Sequence, residues 1–180
     1  MKMKVNGSVS SRESGLQAEF FRRNNGLEFH RFLGTLPLAA YTCDADGLIT
    51  YFNQRAAAAW GREPQLNHPA DHFCGSYKMF AADGSPLPHS ECWMALALRE
   101  KQAYNECEVV VERPNGNTCT VLAHANPFFD ETGRLVGAVN ILVDISERKR
   151  AEAAEREPCH LRPAQNAFNI CIVDRGNEER

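Results

Sequence analysis

Hydrophobic and polar residues alternate in three consecutive stretches of the second half of the chain. These stretches are NECEVVVERP, TCTVLAHANPFF and LVGAVNILVDI. Asn-Gly-Asn at 115–117 and the segment 130–133, which ends in Gly133, separate them, and such residues favour tight turns. The pattern therefore predicts a three-stranded antiparallel meander.

An earlier stretch, AAYTCDADGLITYFN, has two short β-type runs joined by Ala-Asp-Gly at 45–47, which predicts a hairpin. Asn53 is placed to cap a following helix, QRAAAAW, that ends at Gly61. Between Arg62 and Pro88 the pattern predicts loops and short helical turns, with a tight turn at 83–84. A helix is then predicted over HSECWMALALRE, opening at His89 or Ser90.

Both ends of the chain show helical patterns. Apolar residues at helical spacing predict two short amphipathic helices between Ser10 and Leu36, interrupted at 24–26 and ended by Pro37. After Ile145, SERKRAEAAERE predicts a charged connector helix that stops before Pro158. This order of elements predicts an α+β fold, with one antiparallel five-stranded sheet and helices on one face.

Composition narrows the possible partners and location. The chain has 180 residues, 43% of them hydrophobic, and a formal charge of -3, which suits one domain with flanking segments. A net negative charge does not favour binding to nucleic acid or to an anionic membrane. No apolar run approaches the roughly 20 residues of a membrane span, and the start lacks the apolar core of a signal peptide. We therefore expect a cytoplasmic protein, in which the seven cysteines, without a CxxC pair, are reduced.

The hairpin, the NGN and ETG turns and the ending LVGAVNILVDISERKRAE resemble a PAS domain with its C-terminal PAC segment, over about residues 29–153. The run from Asp144 to Arg148 is similar to the junction through which PAS domains drive an attached helix. The stretch FCGSYKMFAADGSPLPHSECWMALAL resembles the PAS domains of bacterial sensor histidine kinases of the HWE type. Trp93 departs from that pattern, which has proline there.

The resemblance implies a domain organisation and a function. Residues 1–28 form an N-terminal amphipathic helical segment, 29–145 the PAS/PAC domain, 146–157 a signalling connector helix and 158–180 a tail. The tail segment NAFNICIVDRGN resembles the start of a second PAS repeat, which implies, as an alternative function, the N-terminal sensor fragment of a histidine kinase. The other interpretation of the tail is a plain extension. The implied function is a sensory module that binds a small molecule in a cavity between sheet and central helices. The terminal helices then pass its state to a sensor kinase or another signalling effector.

Side-chain alternation along strands predicts which residues face this cavity. Phe52, Ala56 and Trp60 are expected to form a helical wall beside them. The predicted lining is Tyr41, Cys43, Phe52, Ala56, Trp60, Cys107, Val109, Val111, Val121, Ala138, Asn140 and Leu142, with Ala123 and Ala125 on the same face. The small residues Ala56, Ala123, Ala125, Gly137 and Ala138 favour room for a ligand. The alternative is a collapsed cavity in a domain that serves only as a ligand-free dimerisation adaptor.

Asn140 is the strongest candidate for a ligand contact, because a polar amide in an apolar cavity needs a hydrogen-bond partner. The alternative is an amide satisfied by neighbouring backbone or water.

A loose cluster of His68, His72, Cys74, His89 and Cys92 has spacings that suit zinc or iron. The favoured alternative is that both cysteines are small buried residues and the histidines lie at the surface.

The sequence does not identify a cofactor. Haem is disfavoured because His89 lies only at the start of the central helix and His124 points away from the cavity. Flavin photochemistry is disfavoured because the chain lacks an Asn-Cys-Arg-Phe-Leu motif and has apolar Val111, Val121 and Leu142 where amides would hold the ring.

No catalytic activity is expected. A histidine kinase needs a phosphoacceptor helix and a glycine-rich ATP site, and His160 stands between two prolines that such a helix would not tolerate.

A homodimer is predicted from the excess of large apolar residues near the N-terminus, which marks an interface. They are Leu16, Phe20, Phe21, Leu27, Phe29 and Phe32. Val110 and Leu122, on the outer sheet face, extend this surface.

Overall fold

The predicted strands form one antiparallel sheet in the computed structural model, which describes residues 26–156. The strands are β1 (Ala39–Asp44), β2 (Ile49–Phe52), β3 (Lys78–Ala81), β4 (Tyr104–Glu112), β5 (Thr118–Phe129) and β6 (Leu135–Asp144). Their spatial order is β2-β1-β6-β5-β4-β3, and every pair is antiparallel. The predicted hairpin is β1–β2 and the predicted meander is β4–β5–β6.

The sheet has six strands, so the prediction of five is wrong. The additional strand, β3, pairs with β4 through Met79 and Val111 at the edge of the sheet. It has only four residues, which is too short for alternation to stand out among the surrounding glycines and prolines.

Four α-helices accompany the sheet within residues 26–156. They are α1 (26–35), α2 (Gln54–Trp60), α3 (Trp93–Glu100) and α4 (Ser146–Arg156). Asn53 caps α2 as predicted, since its Oδ1 accepts from the backbone N–H of Ala56 over 2.9 Å, and Gly61 ends the helix in the left-handed region. The predicted helix at 89–100 begins later, at Trp93, because a short 3₁₀ turn at His89–Glu91 precedes it.

The helices are not confined to one face of the sheet, which corrects that part of the prediction. Helices α2 and α3 cover the inner face, on which Tyr41 lies. Helix α1 packs on the outer face, where the Phe29 ring meets Phe128 edge-on and His30 stacks on Tyr51 at 4.4 Å. Without α1, the aromatic side chains of Tyr51 in β2 and Phe128 in β5 would expose apolar surface to water, which explains why this helix covers the outer face.

Helix α4 starts beside the outer face at the N-terminal end of β5, whereas α1 contacts Phe128 near the C-terminal end of that strand. Lys149 forms an ion pair of 2.6 Å with Glu108 of β4. The helix observed at 146–156 matches the predicted connector up to the last described residue. None of the helices between residues 26 and 156 is long and apolar enough to cross a membrane.

Three predicted features lie outside the described residues. They are the first of the two N-terminal helices, the dimer contacts at Leu16, Phe20 and Phe21, and the tail 158–180. Within the described part of the proposed interface, Leu27 and Phe32 are 61% and 59% exposed.

Candidate functional site

An internal cavity lies between the inner face of the sheet and α3. Side chains from β1, β3, β4, β5, β6, α3 and the loop before β3 line it. They are Tyr41, Cys74, Met79, Cys92, Trp93, Met94, Val109, Val111, Val121, Ala123, Asn140 and Leu142. The cavity therefore reaches across most of the sheet.

Half of the twelve proposed residues line the cavity. The residues that both were predicted and line the cavity are Tyr41, Val109, Val111, Val121, Asn140 and Leu142. Ala123, which was predicted to share their face, also lines it.

Five other predicted residues lie on the inner side without reaching the cavity. They are Cys43, Phe52, Ala56, Trp60 and Ala138, all part of the core or packed against it. The fully buried Trp60 ring meets Tyr41 at 5.0 Å and Phe52 at 5.9 Å, both edge-on. Its indole fills the space above β1 and β2. Alternation identifies the face of a strand but not which part of that face a neighbouring ring occupies.

Cys107 does not line the cavity either, although it pairs with Ala123, and an irregularity of β4 lies just before it. Glu106 has a φ of 58° and the register with β5 shifts between Tyr104 and Cys107, as in a β-bulge. The Cys107 thiol lies 3.4 Å from the backbone oxygen of Asn105.

Five lining residues were missed by the prediction of the site. They are Cys74, Met79, Cys92, Trp93 and Met94. Met79 belongs to the unrecognised strand β3. Trp93 and Met94 are the first two residues of α3, and Met94 is on its buried face. Cys74 lies in an irregular loop, where no periodicity indicates burial.

Asn140 connects three elements through hydrogen bonds and is 3% exposed. Its Oδ1 accepts from the backbone N–H of His124 over 3.0 Å, and its Nδ2 donates to Tyr41 Oη over 3.1 Å. The Tyr41 hydroxyl in turn donates to the backbone oxygen of Phe73 over 3.1 Å. The amide thus has protein partners on both polar atoms while it lines the cavity.

The loop before β3 is held in place by polar contacts, and it carries Cys74 to the cavity. Asp71 pairs with Arg62 and accepts from the backbone N–H of Gln65 over 2.7 Å. The backbone N–H of Phe73 donates to Gly47 over 2.8 Å. Phe73 itself has a φ of 63°, a conformation that is unfavourable for a bulky residue unless its surroundings fix it.

The thiols of this region are buried and protonated. Burial raises the pKa of Cys92 to about 12 and raises the pKa of Cys74, although the hydrogen bond with Ser76 opposes part of the latter rise. Burial also raises the pKa of Cys43 and of Tyr41 well above their ordinary values. Since the thiolate is the reactive form, these groups behave as small, weakly polar wall residues at neutral pH.

The cluster of histidines and cysteines does not converge. His68 is exposed, and its Nδ1 accepts from the backbone of Ala70 over 3.1 Å. His89 Nε2 donates to the backbone oxygen of Ser76 over 3.0 Å. Cys74 and Cys92 are buried, as predicted by the alternative in which both are small core residues. Within residues 26–156 no three His, Cys, Asp or Glu side chains are arranged to hold a metal ion.

The cavity is narrow. Its volume is about 20 Å³, enough for about one water. Of the small residues expected to leave room, only Ala123 lines it. Gly137 is small for another reason, because a Cβ there would lie 2.2 Å from the backbone oxygen of Cys43.

Comparison with known proteins yields one family. A family model described as the PAS fold matches residues 33–150. No curated protein matches the chain.

Solved structures of similar fold include the PAS domain of the fruit-fly ELK potassium channel. It is 17% identical with a TM-score of 0.50, and the match covers 67% of this chain and 96% of that one. A PAS domain from Colwellia psychrerythraea is 17% identical, with a TM-score of 0.49 and coverage of 67% and 97%. The LOV domain of a blue-light activated histidine kinase from Erythrobacter litoralis is 18% identical, with a TM-score of 0.45 and coverage of 62% and 98%. At such identities the likeness shows the fold alone.

Proposed function

Since the chain belongs to the PAS-fold family, we propose that it is a sensory module that binds a small molecule in its internal cavity. It passes the state of the cavity through its terminal helices to a signalling partner, a sensor kinase or another effector. The partner system is bacterial two-component signalling, and the relatives we expect are the sensor histidine kinases of the HWE type. The domain acts in the cytoplasm as a homodimer and has no catalytic activity of its own.

The observation that carries this proposal is the proximity of the cavity wall to the start of α4. Val121 and Leu142 line the cavity. Residues close to them in the sequence bind the start of α4. The backbone N–H of Ile145 donates to the backbone oxygen of Thr120 over 2.9 Å, and the backbone N–H of Thr120 donates to Ser146 Oγ over 2.9 Å. A shift of β5 or β6 at the cavity therefore moves the hydrogen-bond partners of α4.

Asp144 reinforces this junction. Its Oδ1 accepts from the backbone N–H of Ser146 over 2.8 Å, which satisfies one of the free amides at the start of the helix. Ile145, between them, is 5% exposed. The helix is thus fixed to the sheet at its first turn and is otherwise mostly exposed.

Native mass spectrometry of the full chain tests the proposal. We expect a bound small molecule in the wild type and its loss in Ala123→Leu, which fills the cavity from β5. Ala82→Leu makes the same chemical change at an exposed site outside the cavity, so it is the matched control and should keep the molecule. A molecule retained equally by all three proteins would contradict binding in this cavity.

The narrow cavity favours one second candidate, a ligand-free dimerisation adaptor. A cavity of about 20 Å³ admits no organic ligand without movement of the wall. In the same experiment, a dimer of the wild type without any adduct would favour the adaptor over the sensor.

A further inference from the structure

The polar groups of the cavity wall carry an inference about the chemistry of the ligand. This inference rests on the proposed function and deepens it. We propose that the ligand is an uncharged, compact and mostly apolar molecule with a carbonyl-type acceptor that receives a hydrogen bond from the indole Nε1–H of Trp93.

Trp93 lines the cavity at the first turn of α3. Its Nε1 is buried and has no hydrogen-bond partner among residues 26–156. Buried N–H groups are almost always paired, and an indole N–H can only donate. Trp60 Nε1 is also buried without a partner, but Trp60 does not line the cavity. Trp93 is therefore the indole that an acceptor on a ligand can satisfy.

The wall carries no formal charge. Among its lining residues none is Lys, Arg, Asp, Glu or His, so a charged ligand would lose its hydration without gaining an opposite charge. The polar side chains of the wall are Tyr41, Asn140, Cys74 and Cys92. This composition excludes carboxylates, phosphates and amines as the preferred class.

The polar atom of the wall that has no partner among residues 26–156 is a donor, Trp93 Nε1. Asn140 Oδ1 already accepts from His124, and the Tyr41 hydroxyl already donates to Phe73 and accepts from Asn140 Nδ2. Asn140 Nδ2 has a second hydrogen to donate. A ligand with an acceptor thus matches Trp93 first and Asn140 second, whereas a ligand that only donates meets oxygen atoms that already accept one hydrogen bond.

The size of the ligand follows from the void and from the flexibility of its wall. The cavity has a volume of about 20 Å³, room for about one water, so the ligand has to be compact and side chains of the wall have to move to admit it. Met79 and Met94 are among the lining residues, and methionine is a side chain that adapts easily to a new shape. Movement of these two side chains widens the cavity without displacement of a strand.

Three probes of similar size test this inference on the full chain. Acetophenone is neutral and has a carbonyl, ethylbenzene lacks the acceptor, and benzoate is charged at pH 7. The two indole N–H signals in a nitrogen-proton NMR spectrum report the binding. Loss of one signal in Trp93→Phe assigns it to Trp93, and the Trp60 signal is the internal control.

We expect acetophenone to bind about tenfold more tightly than ethylbenzene, as one additional neutral hydrogen bond allows, and to move the Trp93 signal downfield. Benzoate should bind at least tenfold more weakly than acetophenone. In Trp93→Phe the affinity for acetophenone should fall to that for ethylbenzene, with ethylbenzene unchanged, which also shows that the variant is folded.

Two outcomes separate the inference from the proposed function. If ethylbenzene or benzoate binds the wild type as tightly as acetophenone, the cavity binds ligands but this assignment is overturned and the sensor proposal stands. If none of the three probes moves the Trp93 indole signal and native mass spectrometry shows no adduct, both the inference and the sensor proposal are overturned.

Discussion

Asn140 Nδ2 donates a hydrogen bond of 3.1 Å to Tyr41 Oη, and this bond joins strands β6 and β1 inside the cavity wall. The same hydroxyl donates to the backbone oxygen of Phe73. One tyrosine therefore links two adjacent strands of the sheet to the loop that places Cys74.

Tyr41→Phe removes that link while the ring remains. Because the substitution leaves the Asn140 N–H and the Phe73 carbonyl buried without this partner, we expect a loss of about 1–3 kcal/mol in the free energy of unfolding. Urea denaturation at 25 °C measures it. Tyr51→Phe is the control, since it keeps the ring that stacks on His30, and it should change stability by less than about 0.5 kcal/mol. Equal effects of the two substitutions would show that the Tyr41 network is not stabilising.

Gly75→Ala tests the close packing around Trp60. A Cβ at Gly75 would lie 2.5 Å from the Trp60 ring and 2.9 Å from Pro64. Overpacking of this kind costs about 1–3 kcal/mol, which thermal unfolding detects. Gly26→Ala meets no atom within 4 Å and should leave the melting temperature unchanged or raise it slightly. A melting temperature for Gly75→Ala equal to that of the wild type would contradict the tight contact.

The carboxyl of Asp130 makes the β5–β6 turn sensitive to acid. Hydrogen bonds from the Thr132 hydroxyl, followed by those from the backbone of Arg134 and Thr132, lower its pKa from 3.8 to about 2. A lowered pKa means that the contribution to stability is complete above about pH 4 and is lost as the pH falls towards 2. An NMR titration should therefore give a midpoint near 2 in the wild type.

Thr132→Val removes the largest cause of that shift. The midpoint of Asp130 should then rise towards its ordinary value, and the acid-induced loss of stability below pH 4 should become smaller. A midpoint that does not move would show that the Thr132 hydroxyl does not hold the carboxylate.

The buried thiols should resist alkylation in the native state. With a pKa of about 12 for Cys92, the thiolate at pH 8 is about one part in ten thousand, and burial adds steric protection. Iodoacetamide labelling followed by peptide mass spectrometry should modify the more exposed Cys107 well before Cys92 or Cys74. Labelling of Cys92 at the rate of Cys107 would contradict a closed cavity wall.

The order of the main elements could be predicted from the sequence because the signals were local. The hairpin at 45–47 has a glycine at a φ of 89°, and Asn53 and Gly61 mark both ends of α2. The alternation in β4, β5 and β6 was long enough to identify the inner face. Strand β3 has four residues, as β2 has, but no tight turn joins it to its partner β4, so no comparable local signal marks it.

The position of the site was harder to predict, since it depends on contacts between distant residues. Trp60 occupies the space over β1 that alternation assigned to a ligand, and Cys74 reaches the cavity from an irregular loop. Helix α1 lies on the outer face because of ring contacts with Tyr51 and Phe128, which no periodicity within α1 specifies.

Hydrogen exchange of α4 tests most directly whether changes in the cavity reach this helix. Ala123→Leu fills the cavity, and Ala82→Leu controls for the same change at an exposed position. We predict that protection in the peptide 146–156 changes severalfold more in Ala123→Leu than protection in the peptide 39–52, with no change in Ala82→Leu. If Ala123→Leu folds and alters both peptides equally, or leaves 146–156 unchanged, the cavity is not coupled to the helix and the sensory account is wrong.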